Sequence, residues 1–302
     1  NLYSGHQIYY AEGIDKLLIN LSEVRPHIMS AVPRFYESLL QKISSQIKHE
    51  SKIKQLFFNK TSSYGRERYE IGRLSLVKNI FNIFLSLIVR KKIARKFGGR
   101  LIGLISGGAA LNYNVGISLY SLGIPIYQGY GLTESGPVIS VNYPNNNKIN
   151  TVGKLLPNTQ VRITEEGEIQ VIGENVMNGY FRDTESTNLA FDGKWLKTGD
   201  IGIFDKDEYL IITDRKKDII VNSGGDNISP TKIESLLVME EGITQAMVFG
   251  DSEKYLVSII VTDLDIISNK DKTRLIIDKS IDTVNKQLPV IEKIRNYILI
   301  DD

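Results

Sequence analysis

The sequence predicts an α/β fold followed by a smaller α+β domain, and three features of the chain lead to this prediction. Two short apolar runs, at residues 101–106 and 124–127, are separated by a segment with helical periodicity. Such an alternation is typical of a sheet whose strands are connected by helices. Beyond residue 152 the pattern changes to short alternating strands, and after residue 214 strands and helices are mixed.

Helical periodicity dominates the first hundred residues. Residues 15–60 are expected to be helical, because Leu39, Ile43 and Ile47 recur on one face. Residues 66–97 are expected to form a further helical pair, since apolar residues recur there at the same spacing.

The two apolar runs at 101–106 and 124–127 are expected to be buried strands, connected by a helix at residues 111–121. Glycine follows each run and permits a tight turn. Because ligands in such sheets tend to bind beyond the strand ends, the strand ends near Gly107 and Gly129 form the predicted binding edge.

A small β subdomain is expected at residues 152–214. It contains two predicted hairpins, which join residues 160–164 to 168–172 and residues 201–204 to 209–213.

The last part of the chain is expected to form a small α+β domain of ordinary domain size. Its expected elements are a helix at 230–239, strands at 246–250 and 256–262, a helix at 272–287 and a strand at 297–300. The predicted boundary lies near residues 214–217, so that the first domain covers residues 1–214 and the second covers residues 218–302.

Composition limits the classes to which the chain can belong. The 302 residues include 37 basic and 35 acidic side chains, and the net charge of +2 gives no case for nucleic acid as a partner. The absence of cysteine excludes disulfides, zinc–thiolate sites and a cysteine nucleophile, and the three histidines lack metal spacing. The apolar segment 74–89 is interrupted by polar residues and is shorter than the roughly 20 apolar residues of a membrane span.

The most informative motif is Tyr-Gln-Gly-Tyr-Gly-Leu-Thr-Glu-Ser at residues 127–135. Glu134 offers a hard oxygen ligand for Mg²⁺, and Thr133 offers a hydroxyl for a phosphate oxygen. Tyr130 presents a flat face on which a base can stack, and the glycines on either side of it permit close approach of a ligand to the backbone. A turn with a helix cap is the structural alternative.

Two further motifs follow in the chain. Asp200, in Thr-Gly-Asp at residues 198–200, can accept two hydrogen bonds from a sugar at once. Arg215, in Asp-Arg-Lys-Lys-Asp at residues 214–218, is a permanently charged donor for the same sugar. Taken singly, each motif is explained more simply as a turn or a surface pair, but the order of all three favours a nucleotide site.

Two glycine pairs are weaker candidates. Gly107, Gly108 and Ala109 follow a predicted strand and would form one wall of a ligand pocket. Gly224 and Gly225 would let a narrow ligand pass close to the backbone. Ordinary turns explain both pairs as well.

A basic cluster follows the apolar segment that ends near residue 89. Its members are Arg90, Lys91, Lys92, Arg95, Lys96 and Arg100. A solvated helix end is the favoured interpretation, and contact with anionic lipid is the alternative.

The chain resembles the long-chain fatty acid CoA ligases of the adenylate-forming, or AMP-binding, superfamily over nearly its whole length. The three motifs carry this resemblance, together with Asn-Leu-Ser-Glu-Val-Arg-Pro at residues 20–26 and Val-Pro-Arg-Phe-Tyr-Glu at residues 32–37. The long helical insertion at about residues 35–100 favours the long-chain branch. The fold that the resemblance implies is part of a large adenylate-forming domain, with an α/β sheet and a small β subdomain, followed by a small mobile α+β domain.

The resemblance also implies roles for individual residues. Residues 107–109 and 128–131 would line the ATP or AMP site, which includes Gln128 and Gly129, and Gly131 would let the backbone approach the nucleotide. Tyr130 would stack on adenine, and Asp200 and Arg215 would hold the ribose.

The catalytic roles fall to Thr133 and Glu134, which would serve the phosphates and Mg²⁺, with Glu134 as the metal ligand. Lys217 would act in a hinge at residues 215–217, about which the small domain turns between the two half-reactions. Gly224 and Gly225 would line the path of CoA.

Two catalytic parts of the family have no counterpart in these residues. By the resemblance, a Ser/Thr/Gly-rich phosphate loop would lie upstream of Asn1 and an adenylation lysine beyond Asp302. Lys293 belongs to a preceding motif and is not a substitute. We therefore expect a fragment that is inactive in adenylation by itself, although the parent protein is active.

The resemblance thus implies an ATP- and Mg²⁺-dependent ligase that converts a fatty carboxylate to acyl-AMP and then to its CoA thioester. An alternative within the superfamily transfers the acyl group to a carrier protein or uses another acid. An alternative of another class is a non-catalytic fragment that binds nucleotide or, through residues 74–100, a membrane. We expect a cytoplasmic protein, with a peripheral position at the inner face of a membrane as a further expectation.

Overall fold

The computed structural model describes residues 5–13, 16–262 and 270–300. The chain forms two compact units. The first contains residues 1–157 and 206–210, and the second contains residues 158–205 and 211–302.

The first unit contains six helices and five strands within its described residues. In chain order they are α1 (Leu17–Val24), β1 (Ile28–Ala31), α2 (Pro33–Lys48), α3 (Lys52–Ile71), α4 (Leu76–Leu85), α5 (Lys91–Lys96), β2 (Gly103–Ser106), α6 (Tyr113–Ser121), β3 (Ile126–Tyr130), β4 (Ser140–Val141) and β5 (Lys154–Leu155). A π-helical turn, Ser86–Arg90, connects α4 to α5, and a 3-10 helix, Thr133–Ser135, follows β3.

These strands form one sheet in the order β1-β2-β3-β4-β5. The first three strands are parallel, and β4 and β5 are antiparallel to their neighbours. Both predicted buried strands and the helix between them are confirmed, although β3 extends beyond the predicted run to Tyr130. Leu104 of β2 and Ile126 of β3 are almost completely buried, so the apolar runs do form the core of this sheet.

The prediction that residues 15–60 are helical throughout is wrong at β1. Pro26 and Pro33 flank this strand, and proline both lacks an N–H and disfavours a helical residue before it. Pro33 instead begins α2, where its missing N–H has no consequence. The partner of Ile28 is Gly103 of β2, so the strand depends on a contact far along the chain.

The helices predicted within about residues 35–100 are confirmed, since α2 to α5 all lie between β1 and β2. That this segment is an insertion stays a prediction. Helix α2 is fixed to the sheet by Tyr36, a fully buried residue whose hydroxyl donates to the carbonyl oxygen of Ile105 at 2.7 Å. Burial raises the pKa of this phenol. Helix α3 crosses α6 closely at Gly65, because a Cβ atom there would lie 2.5 Å from the Cα atom of Ser121.

The second unit contains three helices and ten strands within its described residues. They are β6 (Thr159–Ile163), β7 (Glu168–Gly173), α7 (Thr184–Ala190), β8 (Phe191–Asp192), β9 (Trp195–Phe204), β10 (Leu210–Arg215), β11 (Ile220–Val221), β12 (Asn227–Ile228), α8 (Pro230–Leu237), β13 (Gln245–Phe249), β14 (Leu256–Val261), α9 (Lys270–Asn285) and β15 (Ile294–Ile300). Within these elements, only Leu210, the first residue of β10, belongs to the first unit. A 3-10 helix, Val290–Glu292, precedes β15.

Both predicted hairpins are confirmed, and their strands form a sheet in the order β10-β9-β7-β6. Strand β9 is longer than predicted, because its first half pairs with β7 and β8. The pairing of β9 with β7 is irregular: Glu168 lies opposite Ile201 whereas Gln170 lies opposite Lys197. Residues 198–200 therefore form a bulge within β9.

The C-terminal elements form a three-stranded sheet in the order β13-β14-β15, with β13 antiparallel and β15 parallel to β14. Helices α8 and α9 contribute Ile233, Leu237, Ile277 and Val284 to its buried core. The predicted helices and strands of this region are confirmed, although β15 begins earlier than expected, at Ile294. The short elements α7, β8, β11 and β12 were not predicted.

The domain boundary and hinge that the sequence predicts at residues 214–217 stay predictions. In the described part of the chain, no helix combines the length and the apolar character that crossing a membrane requires.

Candidate functional site

The predicted binding edge of the first unit lies where β2 and β3 end side by side. Ser106 pairs with Gln128, so the segments that follow these strands leave the sheet at the same edge. A Cβ atom on Gly107 would lie 3.5 Å from the carbonyl oxygen of Gly129. The structure therefore brings together two of the predicted site segments, residues 107–109 and residues 128–134.

The side chain of Gln128 supports the loop from within. This residue is buried, and its side-chain oxygen accepts a hydrogen bond from the backbone N–H of Leu111 at 3.2 Å. Its amide nitrogen donates to the carbonyl oxygen of Ile149. Because both ends of the amide are engaged by the protein backbone, Gln128 couples the motif to two neighbouring segments.

Gly131 lies where the motif passes closest to another segment of backbone. A Cβ atom at this position would lie 1.9 Å from the carbonyl oxygen of Pro137 and 2.9 Å from the Cα atom of Val138. No side chain fits this space, so the reason for glycine here is contact within the protein. The sequence predicted a different reason, which was the approach of a ligand.

The motif then forms a 3-10 turn at Thr133–Ser135. The hydroxyl of Ser135, a fully buried residue, accepts from the N–H of Leu132 at 2.9 Å and donates to its carbonyl oxygen at 3.0 Å. Ser135 thereby holds the turn closed while the side chain of Thr133 remains exposed and Glu134 and Tyr130 are half-buried. This role of Ser135 was not predicted, although a hydroxyl three residues after the start of a turn is a familiar capping pattern.

Gly108 and Ala109 continue the chain beyond β2. Gly108 has a φ of +83°, which L side chains rarely adopt, and both residues are exposed. The turn thus needs glycine at residue 108 for conformational reasons.

The second unit holds the pair of residues predicted to bind a sugar. The guanidinium Nε of Arg215 donates to Oδ1 of Asp200 at 3.0 Å. The carboxylate is buried, with the side chain 7% exposed, whereas the arginine side chain is 61% exposed. A buried carboxylate held by one charged donor is a preorganised acceptor for hydroxyl groups.

The bulge that contains Asp200 has its own support. Thr198 donates its hydroxyl proton to the carbonyl oxygen of Ile169 at 2.7 Å and accepts from the N–H of Asp200 at 3.1 Å. Gly199 has a φ of +72°. Bulges of this kind redirect a side chain, and here the redirected side chain is the predicted ligand for the sugar.

Glu168 and Lys216 support this bulge, and neither was predicted from the sequence. Glu168 is buried and accepts from the N–H of Gly199 at 3.2 Å, while Lys216 donates to Glu168 at 3.3 Å and to Glu166 at 2.6 Å. These hydrogen bonds lower the pKa of Glu166 and raise that of Lys216. Glu168 thus links the bulge to the predicted hinge, and its position beside a turn glycine was the only sequence signal.

The predicted hinge residues lie in a turn after β10. The carbonyl oxygen of Arg215 accepts from the N–H groups of Asp218 and Ile219 at 3.0 and 3.2 Å. Lys217 is exposed. Its assignment as a hinge residue stays a prediction.

The loop with Gly224 and Gly225 connects β11 to β12. The side-chain oxygen of Asn222 accepts from the N–H groups of Gly224 and Asp226, both at 2.9 Å. Gly225 has a φ of +83°, and a Cβ atom added to it would meet no other atom within 4 Å. The loop is therefore a tight exposed turn, and the assignment of these glycines to a CoA path stays a prediction.

Metal binding would depend on few protein ligands. Among the described residues, no group of three or more His, Asp or Glu side chains lies close enough together to hold a metal ion. Mg²⁺ commonly binds through one or two carboxylates together with substrate phosphates. The carboxylate of Glu134 fits such a nucleotide-bound ion, and the hydroxyl of Thr133 is available for a phosphate oxygen.

Comparison with protein families gave two matches that together cover most of the chain. Residues 1–181 match the model of the AMP-binding enzymes, and residues 217–301 match the model of the AMP-binding enzyme C-terminal domain.

Several curated proteins are similar in sequence. The long-chain-fatty-acid–CoA ligase FadD15 of Mycobacterium bovis is 33% identical over 255 residues, which cover 84% of this chain and 42% of that protein. The peroxisomal long chain acyl-CoA synthetase 7 of Arabidopsis thaliana is 30% identical, covering 89% of this chain and 40% of the relative. The chain therefore spans about two fifths of the length of these relatives.

Solved structures share the fold at lower sequence identity. The anthranilate CoA ligase AuaEII in complex with anthranoyl-AMP has a TM-score of 0.68 at 18% identity, covering 97% of this chain and 49% of that one. The o-succinylbenzoate CoA synthetase of Bacillus subtilis in complex with its acyl-adenylate has a TM-score of 0.65 at 21% identity, covering 98% and 51%. These similarities confirm the predicted α/β fold class.

Proposed function

This chain belongs to the AMP-binding enzymes, and from that premise we propose that the protein containing it is a long-chain fatty acid–CoA ligase. The supporting observation is the pair of preorganised motif segments, one in each unit. Residues 128–135 form a loop that is closed from within, and Asp200 is a buried carboxylate held by Arg215.

The proposed reaction has two steps. In the first, a carboxylate oxygen of the fatty acid attacks the α-phosphorus of ATP, the bond from that phosphorus to pyrophosphate breaks, and acyl-AMP forms. In the second, the thiol of CoA loses its proton and attacks the acyl carbonyl carbon, and the bond to AMP breaks. Both steps depend chiefly on positioning and on neutralising negative charge.

The residues of this chain would position the nucleotide. Tyr130 would stack on adenine, and the carboxylate of Asp200 would accept both ribose hydroxyls while Arg215 holds it in place. The exposed hydroxyl of Thr133 would donate to a phosphate oxygen. Gly131 and Ser135 would act indirectly, because they determine the path of the loop that carries these groups.

Mg²⁺ would bind to Glu134 and the phosphates of ATP. A bound Mg²⁺ supplies charge neutralisation at the phosphates. The carboxylate of Glu134 would orient the triphosphate through that contact, and CoA would reach the acyl group past Gly224 and Gly225.

Two observations support a fatty acid as the substrate. The curated relatives include proteins named as long-chain fatty acid CoA ligases. In addition, α2 to α5 form the helical insertion between β1 and β2 that favours the long-chain branch.

The direct test is ATP–pyrophosphate exchange by the intact gene product, with fatty acids of increasing chain length. We expect exchange to rise with chain length. Exchange with short or aromatic acids alone would retain adenylation and contradict the long-chain assignment, whereas no exchange with any acid would favour the binding-only alternative.

A matched pair of variants tests the site. Asp200→Asn replaces the carboxylate that accepts from Arg215, and that would accept from the sugar, by a neutral amide. A hydrogen bond to a charged group contributes about 1.5–3 kcal/mol. The loss of one such bond should therefore lower exchange by about 10- to 150-fold. Asp192→Asn breaks the exposed ion pair with Arg162 in the same unit and should leave exchange unchanged. Equal activity of the two variants would contradict the assignment of Asp200.

The acyl acceptor requires a separate assay. We expect thioester formation with CoA, and a preference for a carrier protein over CoA would favour the alternative within the superfamily. We also propose a cytoplasmic location for the protein, which fractionation of cells that express the intact gene product would test.

A further inference from the structure

Within the part of the chain that the structure describes, one face of the helix that runs from α4 to α5 is apolar and exposed. Six residues define this apolar face, and their exposed fractions are 83% for Leu76, 80% for Val77, 71% for Ile80, 58% for Ile83, 44% for Phe84 and 63% for Leu87. They recur at helical spacing within little more than three turns. Contiguous exposed apolar surfaces of this kind mark interaction sites in folded proteins.

The opposite face of the same helix is anchored to the body of the first unit. Leu85 is fully buried, and Asn82 is 4% exposed. The guanidinium of Arg90 donates to the carbonyl oxygens of Ser121 at 2.8 Å and Thr61 at 3.2 Å. Burial lowers the pKa of this guanidinium. These contacts determine the rotation of the helix, so the apolar face cannot turn inward without breaking them.

Positive charge continues where the apolar face ends. Lys91, Lys92, Arg95 and Lys96 are all exposed in α5, within about three turns of Leu87. No aspartate or glutamate occurs in the sequence between residues 70 and 134.

Nearby carboxylates neutralise only part of this charge. Glu50 is within electrostatic reach of Lys92 and Lys96, but its hydrogen-bonded partner is Lys54. Lys78, which lies in α4, forms an ion pair with Glu67. A net positive charge therefore remains at the α5 end.

We propose that residues 76–96 form a peripheral docking surface for a bilayer that contains anionic phospholipid. The apolar face would enter the boundary between headgroups and acyl chains, while the lysines and Arg95 would contact the phosphate groups beside it. A helix with an apolar face and adjacent basic residues binds membranes in this way, through buried apolar area and attraction to anionic lipid. A protein partner with an acidic rim would meet the same charge, but it would not require a lipid phase.

The first experiment measures sedimentation of the intact gene product with phosphatidylcholine vesicles that contain phosphatidylglycerol. Ile80→Asn combined with Ile83→Asn should lower the vesicle partition coefficient by at least about tenfold. Leu189→Asn combined with Leu275→Asn is the matched control, because those two residues are similarly exposed, at 67% and 72%, and lie outside the proposed surface. The control should bind as the unchanged protein does.

The second experiment tests the charge. Removing three cations with Lys91→Gln, Lys92→Gln and Arg95→Gln should lower binding to the anionic vesicles by roughly 100-fold. Replacing the exposed Lys194 and Lys206 by glutamine should leave binding unchanged. Vesicles of phosphatidylcholine alone should bind the unchanged protein much more weakly than anionic vesicles.

Three outcomes would overturn the proposal. The intact protein sediments with neither kind of vesicle, or it binds both kinds equally well, or the Asn and control variants lose binding to the same extent. None of these measurements involves nucleotide or turnover. Failure of the membrane proposal can therefore be distinguished from failure of the proposed ligase activity.

Discussion

Gly131→Ala is the substitution whose effect follows most directly from the structure. The new methyl group would lie 1.9 Å from the carbonyl oxygen of Pro137, and an ordinary contact requires at least 3.4 Å. The two backbone segments would therefore have to separate by about 1.5 Å. The atoms that the methyl group would meet are backbone atoms of Pro137 and Val138, not the ends of flexible side chains. Either the motif loop or residues 137–138 must therefore move.

The expected cost of this separation is that of overpacking, about 1–3 kcal/mol of the free energy of unfolding. Activity should fall further than stability, because a misplacement of about 1 Å in a catalytic site can cost on the order of 100-fold in rate. Both effects would arise at the same contact, since the motif loop on one side of it carries Tyr130, Thr133 and Glu134.

The assay combines urea unfolding of the intact protein with ATP–pyrophosphate exchange. Gly129→Ala is the matched control for stability, because its methyl group would lie 3.5 Å from the nearest atom, the carbonyl oxygen of Ser140. We expect the control to change the free energy of unfolding by no more than about 1 kcal/mol. If Gly131→Ala is as stable as the control and retains full exchange, the close approach of the two segments is not what requires glycine at residue 131.

Three further outcomes are expected. Glu168→Gln and Lys216→Met should each raise the KM for ATP by roughly two- to fivefold, as measured by steady-state kinetics. Because both residues act through one contact, the double variant should raise the KM no further. Glu234→Gln should stabilise the protein at neutral pH, because burial raises the pKa of this carboxyl and the amide can still accept from Val248. Since a raised pKa favours the protonated folded state, the difference should vanish as the pH falls below the ordinary value of 4.5, as unfolding curves across pH would test. Gly225→Ala should cost about 1–2 kcal/mol of unfolding free energy, because its φ is +83°, and an unchanged urea midpoint would contradict that reasoning.

Local pattern was sufficient for most of the secondary structure. The apolar runs around Leu104 and Ile126 were predictable as strands because a segment with helical periodicity separates them. The hairpins were predictable because apolar and polar residues alternate on both sides of a turn. Strand β1 was not predicted in this way, because it is formed by pairing with Gly103 and the residues that follow it in β2. A four-residue strand between two helices has too little pattern of its own to be recognised.

The candidate site divides in the same way. Residue type and order in the chain indicated Tyr130, Thr133, Glu134, Asp200 and Arg215, and the structure shows Arg215 bonded to Asp200 as a common ligand would require. The supporting groups were not predicted. Gln128 was expected beside the nucleotide, whereas its side chain bonds to the backbone of Leu111 and Ile149.

The sequence by itself determined the family and the fold class, and it indicated the residues to which the proposed chemistry is assigned. These inferences depend on residue type and on short spacing along the chain. Only the tertiary structure decided why Gly131 must be glycine, how Glu168 connects a bulge to Lys216, and that Arg90 is turned inward while the apolar face of α4 is open. The physical reason is that these contacts depend on how separate segments of the chain pack together. Their energies depend on distances of a few ångströms, which the order of residues does not contain.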